Sequence, residues 1–230
     1  MKLSKNRKIA LDALDLEKVY EPSDAIKILK EKTFVKFDET LDISINLNID
    51  ASKTEQNIKG VTNLPNGTGK KVRVAVITSD DNVTEAKESG ADLYGGQEFI
   101  DNISSNKIDF DILIATPDIM PKLGKVAKTL GPKGLMPNPK LGTVTDDLKK
   151  AILDAKLGQV EIKNDKDGNI GLSLGKKSFS DDKVIKNYIA ILDVLEREKG
   201  NQTVKGDLIK SAFITSTMGV SYKLKLPKNI

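Results

Sequence analysis

The sequence predicts two domains: an α+β domain with an antiparallel sheet, formed by both termini, interrupted by a three-layer α/β domain of Rossmann-like type. Three patterns predict this. Between residues 68 and 159, short apolar stretches alternate with helix-like ones, as in a small parallel sheet. Outside that range the strand-like stretches alternate apolar and polar residues, so each buries one face. The alternating stretch at 41–47 has too few partners near it and needs the sheet that follows residue 160. The expected domains are therefore 1–67 with 160–230, and 68–159. Glycines at both crossings, Gly67-Thr68-Gly69 and Gly158, are expected to act as a hinge.

The elements follow in order. Ser23 stands where a cap would, before a helix over 24–32. Residues 41–47 (LDISINL) alternate strictly and predict a half-buried strand. Residues 72–77 are a short apolar strand, 82–89 a helix stopped by Gly90, 92–94 a strand closed by Gly95-Gly96, and 97–104 a second helix. Residues 110–115 form a buried-type strand. Thr116-Pro117-Asp118 then open a helix to Leu130, with Thr as cap, Pro in the first turn and Asp near the positive end of the dipole. Thr145 caps a helix over 146–156 that Gly158 ends. Residues 160–162 and 170–174 alternate, joined by Asn164-Asp165-Lys166-Asp167-Gly168-Asn169, a hairpin signal. Asp181-Asp182 open an amphipathic helix carrying Val184, Ile185, Tyr188, Ile189, Leu192 and Leu195. Strands over 208–215 and 220–226 complete the sheet.

Composition excludes several chemistries. Cys and His are both 0, which removes thiolate nucleophiles, imidazole bases, the usual zinc sites and haem ligation. No cofactor is expected. Absent cysteine also excludes disulfides and fits a cytoplasmic protein. Trp is 0 and aromatics are 4%, so the core rests on Ile, Leu and Val. No apolar run approaches the roughly 18 residues of a membrane span, so no membrane is expected. Residues 68–159 hold as many acidic as basic residues, so the net charge of +4 falls on the outer segments and favours an anionic partner there. Arg7, Arg73 and Arg197 are the only arginines, too few for base reading by bidentate Arg, whereas Lys contacts to phosphate remain available.

Gly67-Thr68-Gly69-Lys70 looks like a nucleotide loop, but Leu64 and Lys71 stand where such a loop needs Gly and Ser or Thr, and the segment precedes a strand. The true strand-to-helix turns, 78–81 and 116–118, are acidic where a phosphate would sit. These features weigh against the main rival reading, a small α/β enzyme or nucleotide binder. The loop from Gly131 to Lys140 is pinned by Pro132, Pro137 and Pro139, and is either a preorganised contact surface or a rigid connector. Phe37, just before a strand, is either core or an exposed platform beside Thr40. Its neighbours Asp38 and Glu39 oppose a generic electrostatic site. The run Ser211-Ala212-Phe213-Ile214-Thr215-Ser216-Thr217-Met218-Gly219 clusters small hydroxyls that suit 2′-hydroxyls and phosphate oxygens of folded RNA. Gly219 lets another backbone approach. An ordinary Thr-rich strand followed by a turn has the same pattern.

Several stretches occur in a telling order: Lys36-Phe37-Asp38-Glu39-Thr40, Gln56-Asn57-Ile58-Lys59-Gly60, Leu64-Pro65-Asn66-Gly67-Thr68-Gly69, Gly131 to Lys140 followed by Gly142-Thr143-Val144, Asn164-Asp165-Lys166, and Thr217-Met218-Gly219. Together they resemble the bacterial ribosomal protein L-one family, of the mobile stalk beside the tRNA exit site. The resemblance covers nearly the whole chain. It implies a non-enzymatic, ribosome-associated protein, monomeric when free, whose terminal domain grips large-subunit ribosomal RNA. It also implies contact with exit-site tRNA during its release and repression of translation from its own messenger RNA. By motif match the RNA face comprises Lys36, Phe37, Thr40, Ser211, Thr217, Met218 and Gly219, with Asp165 and Lys166 near its edge. Asn66 and Gly171 stand where members of the family carry His, and Gly171 offers no side-chain contact.

Overall fold

The computed structural model describes residues 5–12, 15, 18–53, 56–79, 86–87, 89–105, 108–200 and 206–226. In chain order, helices α1 (Lys5–Asp12) and α2 (Pro22–Glu31) precede strands β1 (Thr40–Leu47) and β2 (Lys59–Asn63). Strands β3 (Val74–Ile77) and β4 (Leu93–Gly95), helix α3 (Gln97–Ser104), strand β5 (Ile112–Ala115) and helix α4 (Leu148–Leu157) follow. Strands β6 (Gln159–Lys163) and β7 (Asn169–Lys176), helix α5 (Asp181–Gly200), and strands β8 (Ile209–Ser216) and β9 (Tyr222–Lys223) complete the order. Packing separates two compact units, Met1–Gly69 with Val160–Ile230, and Lys70–Gln159.

In the first unit β1 is interior to a four-stranded antiparallel sheet of order β7-β1-β8-β9. Its alternation sets this. Leu41, Ile43, Ile45 and Leu47 are buried, and the matching rows Ile170, Leu172 and Leu174 on β7 and Ala212 and Ile214 on β8 close the same core. Helices α2 and α5 cover that face with Ala25, Ile26, Leu29, Val184, Tyr188, Leu192 and Leu195. Each large side chain buried there is worth about 1.5–3 kcal/mol, and a one-residue slip of β1 would turn its whole row to water. The other face carries Ser44, Gly171 and Phe213, all exposed, with Asp42, Asn46, Ser173, Ser211 and Thr215 half-buried among them.

Three expectations for this unit need correction. The strands around 160 and 170 do not form a hairpin. Strand β6 pairs with β2 in a separate two-stranded sheet, whereas β7 joins β1. The Asn164 side chain holds the segment to 57–58 instead, accepting from Ile58 N (2.8 Å) and donating to Asn57 Oδ1 (3.0 Å). Strand β2 escapes the sequence reading because KGVTN has one large apolar residue and a glycine. Helix α2 starts earlier than expected: Glu21 is its N-cap without a side-chain cap bond, Pro22 takes the first turn, and Ser23 lies inside. The last strand shrinks to Tyr222–Lys223, with Leu224 bridging Tyr20.

The second unit has a parallel sheet of order β4-β3-β5. All four residues of β3 are buried, because apolar side chains cover both faces. Ala75 and Ile77 pack with Ile100, Leu123 and Leu130, while Val74 and Val76 pack with Leu148 and Ile152. The helix expected over 117–130 is broken into 3-10 pieces (Pro117–Ile119, Gly124–Val126) and single α-turns (Met120–Leu123, Ala127–Leu130). Pro121 lacks an N–H, and Gly124 weakens the middle. Thr116 makes no side-chain cap bond, and its hydroxyl is buried with no partner among the described residues. Helix α4 starts at Leu148 because Asp147, not Thr145, caps it, accepting from Lys150 N (3.2 Å). Thr145 Oγ1 instead accepts from Asp147 N (3.1 Å). The helix expected over 82–89 lies largely outside the described residues; Ala86 and Lys87 are helical.

Candidate functional site

Most of the site residues expected from sequence gather at one end of the four-stranded sheet, where β1 begins and β8 ends. Leu41 pairs with Ser216, and Thr40 faces Lys176. The backbone then reverses through Thr217-Met218-Gly219, closed by Gly219 N donating to Ser216 O (3.1 Å). The chain before β1 lies alongside: Thr217 N donates to Thr40 O (3.1 Å), and Thr40 N donates to Thr217 Oγ1 (3.1 Å). Thr217 is exposed, and Phe37 and Met218 are each 53% exposed. Phe37 is therefore a platform and not a core residue. Lys36 beside it is exposed too. Gly219 is closely packed, since an added Cβ would run into Ser216 Oγ and force that hydroxyl to shift.

Three successive side chains tie this end together. Asp38 accepts from Ser178 N (3.0 Å) and Ser178 Oγ (2.8 Å). Glu39, buried, accepts from Met218 N (2.9 Å). Thr40 Oγ1 accepts from Lys176 Nζ (3.0 Å).

Ser211, Asp165 and Lys166 lie at the opposite end of the sheet. Asn46 pairs with both Ser211 and Asn169, six residues along β1 from Thr40, which is about 20 Å of strand. Asp165 is a turn former. Its Oδ1 accepts from Asn169 N (2.7 Å) and Asp167 N (2.9 Å), and these backbone bonds hold its carboxyl below the usual carboxylate range. Lys166 and Asp167 beside it are both exposed, so Lys166 is the outward cation of this turn.

Between the two ends runs the open face of the sheet, with a shallow groove of about 340 Å³ lined by Asp42, Ser44, Gly171, Ser173 and Thr215 among others. Partial burial pushes the Asp42 carboxyl up, against the pull of Lys176. Sequence reasoning passed over Asp42, Ser44 and Ser173, and took Thr215 only as part of the hydroxyl run. The period-2 pattern shared by 40–46 and 211–217 was the signal that could have found them.

The hydrogen-bond polarity of the Thr217 end restricts what it recognises. The N–H groups of Thr217, Met218 and Gly219 all point inward, to Thr40 O, Glu39 and Ser216 O. Thr217 Oγ1 takes one N–H and sits 3.4 Å from Thr40 O, the direction of its own proton. The turn itself is left with no free N–H of these three residues and offers a partner its acceptors, beside apolar Phe37 and Met218 and the exposed ammonium of Lys36. A hydroxyl donor fits the turn, and a phosphate, which only accepts, fits it poorly.

The glycines at the crossings are held by conformation and packing. Gly67 (φ 66°) accepts at its carbonyl from Asn187 Nδ2 (2.9 Å), with half-buried Thr68 next to it. Gly69 (φ 73°) lies against Lys176 and Phe179 with no room for a Cβ, and Gly158 (φ 100°) is the left-handed C-cap of α4. Among the described residues, no cluster of carboxylates is placed to hold a metal ion, and no helix is long and apolar enough to cross a membrane.

Residues 29–220 match the family described as "Ribosomal protein L1p/L10e family". The large ribosomal subunit protein uL1 of Pelagibacter ubique (strain HTCC1062) is 59% identical over 202 residues, 88% of each chain. That of Rickettsia akari (strain Hartford) is 48% identical over 228 residues, 98% of this chain and 95% of the relative. That of Mycoplasma capricolum subsp. capricolum (strain California kid) is 48% identical over 225 residues, 97% of this chain and 99% of the relative.

Proposed function

Because the chain belongs to the ribosomal protein L1p/L10e family, we propose that it is a non-enzymatic constituent of the large ribosomal subunit that binds large-subunit ribosomal RNA. The binding face runs from Lys36, Phe37, Thr40, Thr217, Met218 and Gly219 to Ser211, with Asp165 and Lys166 at its edge. Specificity comes from the fixed patch, whose outward acceptors meet ribose 2′-hydroxyls while Phe37 and Met218 pack on bases or sugars. Surface lysines such as Lys36 and Lys166 add a salt-dependent contribution. The observation that carries this reading is the inward-turned amides of Thr217, Met218 and Gly219 beneath two exposed apolar side chains.

The wider role includes residence in the cytoplasm on the ribosomal stalk, help in releasing deacylated tRNA from the exit site, and repression of the protein's own messenger RNA. The terminal unit is the RNA-binding domain, and 68–159 is an inserted domain. Movement between them uses the crossings at Gly67, Thr68, Gly69 and Gly158.

A filter-binding titration against the stalk segment of large-subunit ribosomal RNA, with bulk tRNA as competitor at two salt concentrations, tests the core of this. Tight binding that survives the competitor and loses little to salt is expected. Weak binding abolished by both would refute it. Sucrose-gradient fractionation separates a ribosomal constituent from a regulator that never joins the particle.

A further inference from the structure

Beneath the Thr217-Met218-Gly219 turn lies a side chain that contacts no solvent and whose chemistry is at odds with its surroundings. Glu39 is 1% exposed. Its Oε1 accepts from Met218 N at 2.9 Å, across 179 positions of sequence. Its Oε2 is buried with no hydrogen-bond partner among the described residues. A buried carboxylate with one oxygen unpaired is costly to a fold. A leucine there would avoid that cost and forfeit only the part-buried bond to Met218 N, so the task of the acceptor at this position is to hold that amide.

The flanking residues suggest what. Asp38 ties the pre-strand segment to Ser178, and Thr40 ties it to Lys176 and Thr217. Glu39 alone reaches the central amide of the turn. Without it, Met218 N–H would be released to the surface, where it would offer a donor to anions and leave the Met218 side chain free to reorient.

Resting on the RNA-binding reading above, we propose that Glu39 is a positioning residue for the RNA interface: its buried carboxylate withdraws the Met218 amide and fixes the turn, at the expense of stability. It touches no RNA itself. It sets the conformation in which Thr217 and Met218 meet a ribose, and it keeps the turn from becoming a phosphate site. The signature is opposite movement of stability and affinity.

The test uses the whole protein with Glu39→Leu and Glu39→Gln. In Glu39→Leu the melting temperature is expected to hold or rise while affinity for stalk ribosomal RNA falls about tenfold, a difference of about 1.4 kcal/mol. Hydrogen exchange at the Met218 amide should accelerate by a similar factor. Glu39→Gln keeps the acceptor and should stay within about threefold of wild type in affinity, with Met218 still protected. Unchanged affinity and unchanged Met218 protection in Glu39→Leu would overturn the proposal. So would parallel loss of melting temperature and affinity in both variants, which marks a merely structural residue. Failure of the wild-type protein itself to bind the RNA is a different result and would overturn the RNA-binding reading.

Discussion

Phe37 and Met218 are apolar and half in water, so removing either one is cheap for the fold and expensive for a stacked or packed ligand. Phe37→Ala is expected to lower RNA affinity by about 1–3 kcal/mol while leaving the melting temperature nearly unchanged, read by a binding isotherm beside circular dichroism. Thr217→Val should cost both properties, because Thr40 N loses its acceptor within the same hydrogen-bond ring. Met218→Asp should abolish binding with the fold intact, since it sets a carboxylate against the RNA. Gly219→Ala is a steric case: its new methyl meets Ser216 Oγ. It should destabilise by about 1–3 kcal/mol, and Ser216→Ala in the same chain should restore part of that loss, measured by denaturant unfolding.

Capping and registration decide stability among the elements, and here a carboxylate pair serves the inserted unit. Asp92 Oδ2 accepts from Val74 N (2.9 Å), and Asp111 Oδ2 accepts from Arg73 N (3.1 Å), so both fix the start of β3. These backbone bonds, helped by Lys156 and Lys70, hold both carboxyls below their usual range. A lowered folded value means the contribution is complete above the ordinary carboxylate pKa of about 3.9 and vanishes as pH falls through the folded values. Acid titration followed by exchange at the Val74 amide should therefore show β3 loosening below about pH 4, with Asp92→Asn largely flattening that dependence. These same elements show what sequence can reveal. Strand β1 was legible because strict alternation admits one burial pattern, and helix α3 because its bounds coincide with Gly96 and the turn after Ser104. Strand β2 was not, having little apolar signal, and neither was the broken stretch after Thr116, where Pro121 and Gly124 interrupt the helix and the expected Thr116 cap bond is not made. Within the candidate site, Phe37 and Met218 were legible through the family motifs, while the exposure of Phe37 was left open because a Phe at a strand entry can equally be core. The burial of Glu39 was not legible, because a glutamate next to an aspartate reads as surface until the fold buries it.

On the scale of the whole molecule, binding that depends on a fixed patch should show a shallow salt slope for an RNA binder, a few released ions, measured from 50 to 200 mM salt. Replacing Lys70–Gln159 by a short flexible link should leave stalk RNA affinity within about threefold, since every residue of the proposed face lies in the other unit. The position of β1 in its sheet has a consequence for how the protein is made. Thr40 waits 177 positions for Thr217, whereas β3 meets β4 and β5 within some forty residues. Contacts so distant form late, after the local ones. On the translating ribosome the inserted unit can be complete while β1 still lacks β7 and β8. The ability to hold RNA is then the last property the chain acquires, and a nascent copy that has not yet passed Met218 cannot compete for an RNA site with a finished one.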